Sequence, residues 1–334
     1  MKKIFILIIL ITTIACQNNS KTEIYQTKRN NIINVNQLIH KINIDTIYFS
    51  NSSVPYIIGE YLAIKDTKSL ESVIHLFNKN NFNYVLPFGN IGQSPNEITI
   101  PGELSWNEIT REIYVQDGGK CEILAYKLDS LLINNRFSPI EKYHISNDNY
   151  PLQYIYANDT FSLCRVMAEI GYNKTTALTG KWNIKSGKIE LFNNFHKEFK
   201  QNRFVLAVSY KDSIYAECNI WYDLISIADF NGNLISNIYG PDWDEEGLIC
   251  FGNSLFTNKY LVCIYNGGKF EQNPIITTKC IVFNKNGEYI STFDVGYNIK
   301  NFCYDESNNR LIFTFDDEIQ LGYLDLDEIN LENK

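Results

Sequence analysis

The chemistry open to this sequence is narrow. Its four histidines, His40, His75, His144 and His196, stand far apart, with no His-Glu-x-x-His and no pair at metal-ligand spacing. No Gly-x-Ser-x-Gly elbow offers an activated serine. Gly92 and its neighbours lack the Lys-Ser/Thr pair that completes a phosphate loop. Asn231-Gly232-Asn233 lacks the acidic alternation of a calcium loop and reads as a hairpin turn. The motifs therefore predict no catalytic residue, no metal ion and no cofactor.

Two groups remain as binding candidates. The first is the acidic run Asp242-Trp243-Asp244-Glu245-Glu246, which follows Gly240-Pro241. It reads either as a solvated loop or as a ligand contact, with Trp243 a stacking platform for a sugar or peptide between Asp242 and Asp244. The second is Arg111, Arg165, Arg203 and Asp305, on or beside strand-like segments. They serve either as structural ion pairs or as polar groups converging on a central channel. Seven cysteines, from Cys121 to Cys303, include no Cys-x-x-Cys pair, and several sit inside apolar runs such as Leu261 to Tyr265. They read mainly as small buried hydrophobes. In an exported chain one disulfide could form, and the odd count leaves at least one thiol over.

An eighth cysteine has a different setting. Lys2 and Lys3 precede the unbroken apolar run Ile4 to Ile11, and Thr12 to Ala15 lead to Cys16. A short basic stretch, an apolar stretch and a small residue at the cut form a secretory signal peptide over 1–15. The run is much shorter than the roughly 20 residues of a membrane span. Thr13-Ile14-Ala15-Cys16 resembles a lipobox, with Thr13 where leucine is usual. That resemblance implies lipid chains on Cys16, hence a membrane partner and an envelope address, with the outer membrane preferred. Residues 16–30 are polar and read as a flexible tether. Residues 31–334 then form one domain.

The elements that must position any site are strands. The chain carries 22 Tyr and 20 Phe, with many Ile, which suit pleated surfaces. Helical periodicity is nearly absent. An apolar strand ending in Phe, an Asn/Gly turn and a second strand recur at Val73–Phe77, Ile227–Phe230 and Cys280–Phe283. A spacing of about 50 residues between such phrases is that of a propeller repeat of four-stranded blades. The expected units are 54–103, 104–150, 151–200, 201–248, 249–297 and 298–329. The last lacks one strand, and Ile44–Phe49 is expected to supply it and close the ring. The fold class is thus all-β, a six-bladed propeller closed by an N-terminal strand. A net charge of −8, from 38 acids against 30 bases, argues against nucleic acid as a partner.

Phe88-Gly89-Asn90-Ile91-Gly92-Gln93-Ser94-Pro95-Asn96-Glu97, together with Cys16, resembles the six-bladed, TolB-like β-propeller lipoproteins of Bacteroidetes-type bacteria. The family's stretch is Phe-Gly-x-x-Gly-x-Gly-Pro-x-Glu, and Ser94 replaces its third glycine. The resemblance implies fold and address and leaves the ligand open. Two functions follow as expectations. One is a non-enzymatic binding or scaffold lipoprotein with a protein, peptide or carbohydrate partner. The other is a propeller enzyme of the calcium lactonase or lyase type, acting at the channel.

Overall fold

The computed structural model describes residues 22–44, 47–145, 150–172, 174–193, 195–196, 199, 201–271, 277–329 and 331. Cys16 and the signal-like segment lie outside them. Three short N-terminal strands come first: β1 (Glu23–Tyr25), β2 (Ile32–Asn34) and β3 (Ile39–Ile42). Blade 1 is β4 (Ser53–Ile58), β5 (Tyr61–Asp66), β6 (Ser72–Asn78) and β7 (Tyr84–Asn90). Blade 2 is β8 (Pro101–Asn107), β9 (Glu112–Asp117), β10 (Glu122–Lys127) and β11 (Ile140–His144), with helix α1 (Leu128–Ile133) before its last strand. Blade 3 is β12 (Pro151–Asn158), β13 (Phe161–Gly171), β14 (Lys174–Asn183) and β15 (Lys188–Leu191). Blade 4 is β16 (Phe204–Ser209), β17 (Ile214–Asn219), β18 (Leu224–Asp229) and β19 (Leu234–Tyr239). Blade 5 is β20 (Leu248–Phe256), β21 (Tyr260–Lys269), β22 (Lys279–Asn284) and β23 (Tyr289–Asp294). Blade 6 is β24 (Ile299–Asp305), β25 (Arg310–Phe315), β26 (Leu321–Asp325) and the returning β3.

The innermost strands β4, β8, β12, β16, β20 and β24 approach one another in turn, and β24 returns to β4, so the ring is closed. Six hydrophobic clusters fill the six blade junctions. The expected units match the blades closely, except that the first takes in the start of β8. The turns that betrayed the repeat join third to fourth strands. Asn78, Asp229 and Asn284 each accept backbone N–H groups there through the side-chain oxygen.

Because the strands of each blade run antiparallel from centre to rim, one face of the ring carries the blade-to-blade connections and the turns between second and third strands. A polar residue ending the second strand ties these loops together. Asp66 accepts from the Ser50 N–H at 2.7 Å, and Asp117 from the Thr99 and Ile100 N–H groups at 2.8 and 3.0 Å. The Phe88–Glu97 stretch forms one such connection. Ser94 N–H donates to Glu97 Oε2 at 3.0 Å, and a Cβ on Gly92 would lie 1.8 Å from that oxygen. A side chain at 92 would therefore displace the Glu97 carboxylate and break its bond to the Ser94 N–H.

Two expectations need correction. The closing strand is Ile39–Ile42, antiparallel to β26, with Ile42 opposite Leu321 and Ile39 opposite Leu324. The described residues of the expected strand, Ile44 and Ile47 to Phe49, are not in strand. The chain must cross from the outermost position of blade 6 to the innermost of blade 1, about three spacings of 4.8 Å, and this segment makes the crossing. Of its described residues, Ile44, Ile47 and Phe49 pack between the two blades, and Gln320 bonds the Phe49 N–H at 2.6 Å and the Ile47 carbonyl at 3.1 Å. The expected tether over 16–30 is likewise ring-bound from Thr22 onward. β1 adds to blade 4 in parallel, and β2 adds to blade 5. Its polar composition hid this, because a parallel edge strand needs backbone groups and only one inward apolar residue, here Ile24.

Candidate functional site

A cavity of about 710 Å³ opens on the connection face between blades 4 and 5. It is lined by Trp221, Tyr222, Glu246, Gly247, Leu248, Lys269, Phe270 and Glu271. Its floor is built from the end of β17. Asn219 Oδ1 accepts the N–H groups of Trp221 and Tyr222 at 2.9 and 3.1 Å, while its amide donates to Asn202 Oδ1 at 2.7 Å. Asn202 precedes Arg203, whose guanidinium donates to the Thr175 carbonyl (2.8 Å), Thr175 Oγ1 (2.8 Å) and its neighbour's carbonyl (2.9 Å). So held, Arg203 lies 5.6 Å from the Trp221 ring centroid. Burial lowers the Arg203 pKa. Tyr222 is fixed by parallel stacking on Phe199, with centroids 4.1 Å apart. The opposite wall is pinned by the Phe270 N–H, which donates to the Gly247 carbonyl at 2.9 Å.

The site thus offers a fixed indole that is 37% exposed and a benzyl group that is 73% exposed. Two carboxylates, Glu246 and Glu271, and one ammonium, Lys269, surround them. Such an arrangement can hold an apolar or cationic group against aromatic faces while carboxylates pair with its donors. Among the described residues no group of three or more His, Cys, Asp or Glu gathers where it could hold one metal ion.

The sequence candidates are scattered. Trp243 is half-buried and sets its edge against Tyr239 and Tyr25, with centroids 5.0 and 6.0 Å away. Asp242 and Asp244 beside it are exposed and outside the cavity; of the acidic run, Glu246 alone lines it. Arg203 supports the site from beneath Trp221. Arg165 belongs to a second cluster at the channel mouth. It donates to the Phe204 carbonyl of the next blade, while its Nε is buried without a partner. Burial lowers its pKa, partly opposed by Glu103, which also accepts from the Tyr56 hydroxyl at 2.7 Å. Arg111 and Asp305 occupy the opposite face. Arg111 pairs with Asp129 at 2.8 Å in the open. Asp305 is buried, held by Arg310 at 3.0 Å and by Lys79 of blade 1 at 3.3 Å, and latches the last blade to the first. The channel therefore does not gather these four residues. Trp221, Tyr222 and Phe270 escaped sequence reasoning. The one signal for them was an aromatic pair in the turn Ile220-Trp221-Tyr222-Asp223, where turn residues are usually polar.

No protein-family model matches the chain, and no curated protein is similar to it. Solved structures match its fold. A member of the DUF4221 family from Bacteroides vulgatus is 12% identical, with a TM-score of 0.56 over 86% of this chain and 95% of that one. A Bacteroides fragilis protein whose name marks it as exported is 10% identical, with a TM-score of 0.55 over 88% of each chain. A luciferin-regenerating enzyme is also 10% identical, with a TM-score of 0.56 over 85% of this chain and 93% of the enzyme. At these identities the likeness is one of architecture.

Proposed function

We propose that this chain is an exported, lipid-anchored envelope protein that binds a peptide segment on the connection face of its propeller without chemically altering it. The single observation that carries the reading is the aromatic cavity at Trp221, braced by Arg203 and flanked by Glu246 and Glu271. A peptide suits it because an aliphatic or basic side chain can lie on the indole while the carboxylates take its donors. Further apolar side chains stand exposed on loops of the same face, among them Tyr48, Leu70, Ile100 and Tyr172. That is a broad surface of the kind loop faces use for partners. The anchoring half of the reading rests on Lys2-Lys3, Ile4–Ile11 and Cys16. Among the described residues no helix is long and apolar enough to cross a membrane.

The test is a paired peptide and glycan array probed with the detergent-solubilised protein and with Trp221→Ala. Peptide hits weakened at least tenfold by the substitution, roughly 1–3 kcal/mol, with an unchanged melting temperature, are expected. Hits confined to glycans, or peptide binding indifferent to Trp221, would overturn the reading.

A further inference from the structure

The place where β1 begins constrains how an anchored domain can lie. Thr22 is fixed to blade 4, since its carbonyl accepts the Asn237 N–H at 2.7 Å. Glu23, Ile24 and Tyr25 then pair with Asn237, Ile238 and Tyr239. Between Cys16 and Thr22 stand only residues 17–21, which reach at most about 20 Å even when fully extended. The leash is short, and it joins the ring at the outer rim of blade 4, away from the channel.

That rim has interfacial chemistry. Tyr25 stacks on Tyr239 with centroids 4.6 Å apart, and Trp243 sets its edge on both. Tyr25 is 54% exposed, and Ile32 further along the same strap and Ile235 near the start of β19, the strand that β1 pairs with, are exposed as well. Tyr and Trp with an apolar body and a polar tip are the side chains that settle at a membrane–water boundary. Asp242, Asp244, Glu245 and Glu246 are exposed on the adjoining loop, against exposed Lys28. This balance suits uncharged headgroups and disfavours anionic ones.

We infer that the outer rim of blades 4 and 5, through Tyr25, Ile32, Ile235 and Trp243, rests on a zwitterionic bilayer surface, so that the ring stands on edge; the inference rests on acylation of Cys16. The peptide cavity then opens along the membrane plane instead of into it.

The experiment uses full-length protein carrying its acyl chains, reconstituted into phosphatidylcholine vesicles that contain a photoreactive headgroup lipid. Adducts are mapped by mass spectrometry after irradiation. Adducts concentrated in residues 22–35 and 234–243 are expected, and few at Leu70 or Tyr172. Ile32→Glu with Ile235→Glu, both at exposed positions, is expected to cut rim adducts at least threefold with the melting temperature unchanged. Replacing a third of the lipid by phosphatidylglycerol is expected to reduce them as well. Adducts centred on the connection face, or spread evenly round the ring, overturn the inference while leaving anchoring intact. A Cys16 peptide without acyl mass overturns anchoring itself, and the edge-on arrangement with it.

Discussion

Arg29 and Asp223 meet at 2.6 Å with both side chains buried, one on the strap between β1 and β2 and the other at the head of β18. The guanidinium also lies 5.3–6.0 Å from the ring centroids of Phe283, Tyr265 and Phe251. The Asp223 carbonyl accepts the Gly240 N–H at 2.7 Å, and a Cβ on residue 240 would collide with its carboxylate. Burial raises the Asp223 pKa, and Arg29 offsets only part of that rise. Removing one member therefore strands a buried charge. Arg29→Ala is expected to cost about 3 kcal/mol in urea unfolding, and Arg29→Met with Asp223→Leu much less. A loss below about 1 kcal/mol for the single change would show that the pair is not buried in solution.

The strap makes the N-terminal boundary of the domain a measurable quantity. A chain beginning at Thr22 keeps β1, β2, β3 and the Arg29 pair, and is expected to melt with the full-length protein. A chain beginning at Asn43 leaves the edges of β19, β23 and β26 unpaired. It is expected to lose most of the 5–15 kcal/mol typical of a domain and to aggregate through those edges. Equal melting curves for the two truncations would contradict the strap.

What could be read from the sequence was local. Phe230-Asn231-Gly232 and Phe283-Asn284 announce turns because the Asx oxygen and the glycine act within four residues, and repetition of such turns implies blades. The closing register was not readable. Ile39–Ile42 and Ile44–Phe49 are alike in β-forming composition, and the choice between them is made by β26, nearly three hundred residues away, and by the width of a blade. The cavity is similarly non-local. Trp221 and Phe270 belong to turns of different blades, and the glutamates come from the connection and the second turn. Trp243 drew notice because it stands in an acidic run, yet its ring packs edge-on against Tyr25 of β1, and β1 lay in a segment too polar to suggest a strand.

Glu217 supplies a pH signature. Its carboxyl is buried at the junction of blades 3 and 4, with the Thr179 hydroxyl donating to it at 2.7 Å, and burial pushes its pKa up to about 7. The unfolded chain would titrate it near the ordinary value of 4.5. Between these two values the folded state holds a proton that the unfolded state has lost. Its contribution to stability is thus fully present below about pH 4.5 and falls as pH rises to 7, by on the order of 3 kcal/mol. Glu217→Gln keeps an acceptor for Thr179 and removes the titration. The variant is expected to be more stable than the parent at pH 8 and nearly equal to it at pH 5. A gain independent of pH would refute this role.

The seven described cysteines are all free thiols, five of them buried, in keeping with their reading mainly as small buried hydrophobes. Cys218 and Cys263 come within 3.7 Å across blades 4 and 5, yet both are fully buried. Burial pushes the thiols of Cys164 and Cys250 up to about 12, and raises those of Cys263, Cys280 and Cys303 as well. Since the thiolate is the reactive form, native protein at pH 8 is expected to lose Cys121 to iodoacetamide first, with these six protected until denaturant is added. Early modification of Cys218 or Cys263, seen by peptide mapping, would show that the blade 4–5 junction opens.

Pairing of Ile39–Ile42 with Leu321–Leu324 also sets a timetable. The first of these strands leaves the ribosome near the start of synthesis and its partner near the end. The entropy of closing so long a loop grows only with the logarithm of its length, but contacts this distant in sequence form slowly. Until β26 has been made, β3 lacks its partner and the ring cannot lock. A chain released a few residues short of Leu321 would carry five formed blades and still be an open strip. Its unpaired edge would mark it for proteolysis, so the last residues made decide whether the first ones fold.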